Sequence, residues 1–152
     1  MPFSTRATIH GLIGRFIETE YAENLDQYIG LLAHHYSSSN DEVKKKNYLL
    51  KAAFMAQKNY ANEAAIAYFK QVIPLIDDEE KPEILIELGN VFQTVGHWPE
   101  AEQQYSHALT LATFVNDKKW IASAQAYLGE HLRRLGQLDK SSDLSVKTTV
   151  KS

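Results

Sequence analysis

The chain has 152 residues, no Cys, 16 Lys and Arg against 19 Asp and Glu, and a formal charge of −3. That length suits one domain or one short repeat stack; the missing thiols exclude a disulfide framework, a thiolate metal site and a cysteine nucleophile; and the balanced charge excludes a dominant phosphate-binding surface, so nucleic acid is not an expected partner. No stretch approaches the roughly 18 apolar residues of a membrane span and Met1–Arg6 lacks the apolar core of a signal peptide, so the expectation is a cytoplasmic protein with no membrane partner.

Apolar residues recur at helical spacing along nearly the whole chain, and strand alternation of useful length is absent. A first helix is expected over 6–20, where Ile9, Ile13, Phe16 and Ile17 form a stripe that must cover either the next helix or another chain, which makes a homodimer an open expectation. A second follows over 24–37, a third over 42–57 after the Ser37–Asn40 break, and a fourth over 61–76. The segment 42–57 reads equally well in either position of a helix pair. The acidic run Asp77–Glu80 precedes a fifth helix over 82–95, and Gly96-His97-Trp98-Pro99 separates it from a sixth over 98–113. Pro82 and Pro99 suit first helical turns, and acidic residues after each complement the helix dipole. A seventh helix over 118–135 is expected to stop at Gly136 and an eighth to follow over 138–148. Connections this short make successive helices antiparallel.

Leu49, Ala52, Ala53 and Ala56 share offsets with Leu85, Leu88, Gly89 and Phe92 and with Gln125, Leu128, Gly129 and Leu132. Ala65, Phe69, Val72, Ile73 and Ile76 share theirs with Ala101, Tyr105, Ala108, Leu109 and Ala112. Leu49 to Ala65, Leu85 to Ala101 and Gln125 to Ser141 are each 16 residues apart, while Leu49 to Leu85 is 36 and Leu85 to Gln125 is 40. A fixed spacing within pairs and a drifting one between them is the pattern of stacked helical hairpins. Gly89, Gly129 and the alanines at 52, 53, 101 and 108 are expected to bring backbones close, with Phe69, Phe92 and Tyr105 between layers.

Leu85, Leu88-Gly89, Phe92, Gly96, Trp98, Ala101, Tyr105 and Ala108 resemble the tetratricopeptide repeat (TPR). The pair at 46–76 matches more weakly, with Ala52-Ala53 in place of the Leu-Gly step. In the last pair, Ser141, Ser145, Thr148, Thr149 and Ser152 put hydroxyls where a following repeat would need apolar groups, which implies a solvated cap or a frayed end. Residues 9–76, through Ile9–Glu18, Leu31–Tyr36, Tyr48–Ala53 and Tyr60–Phe69, are similar to the helical region that follows the ATPase module in adenylate/guanylate cyclase-like multidomain signalling proteins. The resemblance implies an all-α fold, a right-handed superhelical stack of antiparallel helix hairpins (a TPR-like α-solenoid) of about eight helices. It implies one domain over 1–148: N-terminal helices over 6–41, a degenerate repeat over 42–76, the best repeat over 82–113, a repeat with a polar cap helix over 118–148, and a tail at 149–152.

No chemistry-bearing constellation assembles from linear spacing. His34 and His35 are adjacent, so on a helix they point about 100° apart and do not easily share one metal. His97 and His107 lack an i, i+4 partner, and His131 with Arg133 and Arg134 reads as an anion contact or as a complement to a helix C-terminus. Lys44-Lys45-Lys46 reads as one charged turn near Asp41 and Glu42, and the serines at 37–39 as loop or cap chemistry. No phosphate-binding glycine loop is present, and neither a metal nor another cofactor is expected.

The TPR resemblance carries the inner groove of the stack onto Asn47, Leu50, Phe54 and Gln57, then Glu83, Ile86, Asn90 and Gln93, then Ser123, Ala126, Glu130 and Arg133. Amide and guanidinium groups there suit an extended peptide backbone, with Leu50, Phe54 and Ile86 as apolar pockets. The basic clamp of chaperone-binding TPR domains is not reproduced, because Ile86 and Ser123 stand where basic or amide residues belong. The expected function is non-catalytic contact with a protein, a peptide or neighbouring domains of a larger signalling chain. The alternatives are a small-ligand-sensing arm of a transcription regulator and, least favoured, a histidine-dependent helical enzyme.

Overall fold

The computed structural model describes the backbone of residues 3–150 and the side chains of residues 4–141. Every element is helical and no strand occurs among the described residues: α1 (Phe3–Glu20), a 3-10 segment (Ala22–Tyr28), α2 (Ile29–Ser37), α3 (Glu42–Lys58), α4 (Asn62–Val72), a 3-10 turn (Ile73–Leu75), α5 (Lys81–Thr94), α6 (Trp98–Phe114) and α7 (Lys118–Val150). No described helix is long and apolar enough to cross a membrane. The residues fall into two compact units, Met1–Ile76 and Asp77–Ser152.

In the first unit α1 packs on α2, α2 on α3 and α3 on α4. The side of α1 turned inward is the one with small side chains: Ala7, Gly11, Gly14 and Ile17 are buried, while Ile9, Leu12 and Phe16 are exposed, the last two by 55% and 60%. The expected stripe is therefore split, with Ile17 inside and Ile9 and Phe16 outside. The reason is the Tyr36 ring, which lies so close that a Cβ at Gly14 would sit 2.6 Å from it. The expected helix over 24–37 begins instead as a 3-10 segment with Asn24 off helical geometry (φ −130°). The expected helix over 61–76 tightens at Ile73, because Pro74 has no N–H for an α-helical bond.

In the second unit α5 packs on α6, α6 on α7, and α5 also reaches α7. Gly89 makes the expected close approach: a Cβ there would lie 2.6 Å from the Tyr105 ring, and Ala101, Ala108 and Ala112 are fully buried alongside. Gly129 does not, being exposed with no heavy atom within 4 Å of a Cβ position.

Three helices stop with the same cap. After α3, α5 and α6 the chain passes through a left-handed residue, Tyr60 (φ 59°), Gly96 (φ 81°) and Asn116 (φ 56°) respectively. In each case the next N–H bonds back five residues, as His97 N–H does to the Phe92 carbonyl at 2.9 Å. Gly136 was expected to end a helix likewise. Instead α7 runs through it as one helix of 33 residues, so the described residues form seven α-helices rather than the expected eight or so. A lone glycine costs a helix only about 1 kcal/mol relative to Ala, and Gln137, Leu138, Asp139 and Lys140 follow without the Pro that opens α6 after Gly96. Without a helix turning back there, Gly129 has no aromatic ring to receive. The hydroxyl face of Ser145, Thr148, Thr149 and Ser152 lies outside the residues whose side chains are described.

Candidate functional site

Of the second-unit residues that the TPR resemblance assigns to a groove, Asn90, Gln93, Glu130 and Arg133 are hydrogen-bonded on α5 and α7. Asn90 Oδ1 accepts a hydrogen bond from the Tyr105 hydroxyl at 2.7 Å, which fixes the amide. Gln93 is held at both ends: its Nε2 donates to His131 Nδ1 at 3.0 Å and its Oε1 accepts from Arg134 Nη1 at 3.3 Å. An amide nitrogen only donates, so His131 Nδ1 accepts and the ring proton sits on Nε2, a fully buried nitrogen with no partner. The His131 ring itself lies 5.3 Å from Trp98 and 5.5 Å from Tyr105 between ring centres. Glu130 is chelated by Arg133 (2.6 and 2.8 Å) and by Arg134 (2.9 Å). Those bonds hold the Glu130 carboxyl down at about 2 and raise the Arg133 guanidinium. Glu83 is exposed, and Ile86 is 2% exposed and offers no surface pocket.

Two sequence readings change here. His131 is a fully buried core residue bonded to Gln93 rather than an anion contact, and Arg133 and Arg134 sit in the middle of α7 on Glu130, not at a helix C-terminus. The adjacency of His131 and Arg134 to Gln93 comes from the α5–α7 contact, which local spacing does not reveal.

In the first unit Asn47 is exposed and Leu50 half-buried on α3, Phe54 is 39% exposed with its ring edge-on to Phe69 at 5.4 Å, and Gln57 is half-buried. The dominant polar feature of this unit was not read from the sequence. Glu18, at the end of α1, accepts hydrogen bonds from Tyr36 on α2 and from Tyr48 on α3 (2.6 Å), and Lys44 on α3 pairs with it at 2.5 Å. Burial raises the Glu18 carboxyl, but the bonds from Lys44, Tyr36 and Tyr48 outweigh it and hold the pKa below the usual range. Burial first, then the Glu18 bond, pushes both tyrosine hydroxyls above the usual phenol range. Of the expected charged turn, Lys44 thus belongs to this ion pair. Ser39 behaves as loop chemistry, its hydroxyl donating to the Tyr36 carbonyl at 2.8 Å and accepting from Asp41 N–H at 3.2 Å.

The second feature the sequence reading missed is a histidine cluster. His10 on α1 meets His34 and His35 on α2, with His10 Nδ1 and His35 Nδ1 3.0 Å apart and ring centres 5.0–5.9 Å apart. Burial lowers the His35 pKa, and the charges of His34 and His10 act in the same direction. A polar cleft of about 450 Å³ adjoins His10, lined also by Arg6, Asn40, Glu42 and Lys45.

Compared with protein-family models, curated proteins and solved structures, the chain matches none.

Proposed function

We propose that the chain is a non-catalytic protein–protein or interdomain interaction module, a stack of antiparallel TPR-type helix hairpins that binds an extended protein segment through the polar face of α5 and α7. The supporting observation is the locking of the Asn90 and Gln93 amides by Tyr105, His131 and Arg134. Side chains already fixed before a ligand arrives avoid roughly 0.5–1.5 kcal/mol of ordering cost each. Amide groups presented in a row on rigid helices suit a peptide backbone, whose N–H and C=O groups need partners of both kinds. The likeness of residues 9–76 to cyclase- and ATPase-associated helical regions supports a regulatory or scaffolding place in a larger signalling protein. The exposed Ile9, Leu12 and Phe16 stripe is the surface for self-association; sedimentation of the wild type and of Phe16→Glu over a range of concentrations reads that out.

The rival small-ligand reading needs an enclosed apolar pocket of roughly 300–1,000 Å³. Among the described residues, the apolar cleft beside Ile29, Met55 and Tyr68 measures about 220 Å³, below that range. Selection from a random peptide library on the full chain tests the interaction reading. Peptides recovered on the wild type should bind the double variant Asn90→Ala, Arg133→Glu at least about tenfold more weakly, a change of about 1.4 kcal/mol, with helicity unchanged. Recovery of no peptides, or equal binding by the variant, contradicts it.

A further inference from the structure

The His10, His34 and His35 cluster has no part in peptide binding, and its geometry asks for another occupant. One ring nitrogen from each lies within 4.8 Å of the other two, and the Nδ1 atoms of His10 and His35 face each other at 3.0 Å. Between two facing imidazole nitrogens only one proton fits, so in the neutral pair one lone pair accepts and the other nitrogen donates. A borderline-soft divalent ion replaces that proton while using both lone pairs. Zinc sits 2.0–2.1 Å from histidine nitrogens, so two tetrahedral ligands stand about 3.3 Å apart, a few tenths of an ångström wider than this pair. His34 is exposed, its ring centre 5.0 Å from that of His35 and 5.9 Å from that of His10, so a turn of this side chain must supply the remaining distance.

Adjacency of His34 and His35 argues against a site only while they are alone. The third ligand comes from α1, and the packing of Gly14 against Tyr36 of α2, with Gly11 beside Ser39 just after it, is what brings that helix close enough to supply it. Imidazole donors without thiolates favour Zn²⁺, Ni²⁺, Co²⁺ or Cu²⁺ over Mg²⁺ or Ca²⁺, which take oxygen ligands. Arg6 and Lys45 line the neighbouring cleft and oppose a cation, while Glu42 favours it. We propose that His10, His34 and His35 form a three-histidine site for a divalent transition metal of the zinc class, which ties α1 to α2.

The test is calorimetric titration of zinc chloride into the full chain, with cobalt(II) absorption as the second readout. One ion per chain should bind, His10→Ala and His35→Ala should each weaken it by at least about tenfold, and His107→Ala, outside the cluster, should leave it unchanged. Cobalt(II) should give the visible absorption of a four- or five-coordinate nitrogen site. If His10→Ala loses helicity, His10→Gln and the cobalt spectrum of the unmodified chain decide the matter. Zinc affinity insensitive to His10, or a cobalt spectrum like that of the hydrated ion, overturns the assignment.

Discussion

In the first unit the Tyr36 ring presses on Gly14 and its hydroxyl donates to Glu18 on the same helix; in the second the Tyr105 ring presses on Gly89 and its hydroxyl donates to Asn90. The packing step is shared and the acceptor differs. Glu18 is ionised and gathers Tyr36, Tyr48 and Lys44, so one carboxylate joins α1, α2 and α3. Asn90 is neutral and takes one hydroxyl through its oxygen, leaving its NH₂ as a donor for something else. The charged version suits holding helices together, and the neutral version suits presenting a surface.

The largest expected effect separates the two acceptors. Glu18→Ala leaves two tyrosine hydroxyls unpaired in a site where the carboxylate was only 17% exposed, and should cost about 2–4 kcal/mol in urea unfolding, against about 1 kcal/mol for Asn90→Ala. Equal losses would break the comparison. Acid offers the same contrast without mutation. Because the folded Glu18 pKa lies below its unfolded value, its stabilisation is complete above the unfolded value, near 4.5, and is lost as pH falls through the folded one. Both tryptophans, Trp98 and Trp120, lie in the second unit. Glu130 of the second unit also has a lowered pKa, but its side chain is exposed and solvent screens its contribution. Below about pH 4.5 helicity should therefore lose more than tryptophan fluorescence changes, and Glu18→Gln should remove that part of the acid sensitivity.

Next come the glycines. Gly14→Ala and Gly89→Ala drive a methyl into a tyrosine ring and should each cost about 1–3 kcal/mol, measured by thermal unfolding, in spite of alanine's better helix propensity. Gly129→Ala meets nothing and should stabilise by about 0.5–1 kcal/mol. The smallest effect concerns the caps. Tyr60 is 80% exposed and left-handed, so Tyr60→Gly should gain up to about 1 kcal/mol, whereas Gly96→Ala, at the same cap one repeat later, should lose about as much.

The helical class and most of its boundaries were legible because apolar spacing and Pro, Gly and Asp signals are local. The Gly89–Tyr105 step was legible too, through offsets shared between repeats. The same offsets misled at Gly129 and Gly136, because a small residue packs only if a later helix turns back, and one glycine without a proline does not force that turn. Tyr60 carries no glycine signal, yet it lies 36 residues before Gly96, the repeat period, and register could have found its cap. Glu18 and His10 were invisible for a different reason. Their partners lie 18 to 30 and about 25 residues away on other helices, so only the packing of α1 brings them together. The burial of Ile86 and the bonding of Gln93 to His131 were not legible, because they depend on the contact between α5 and α7.

The most direct test of the binding account follows the side-chain amide signals of Asn90 and Gln93 by nuclear magnetic resonance while a library-selected peptide is added to the full chain. The account predicts that both amides are sharp in the free protein, as locked groups should be, and that they shift together along one saturating curve. Saturable binding that leaves both amides unmoved while signals elsewhere shift would contradict it.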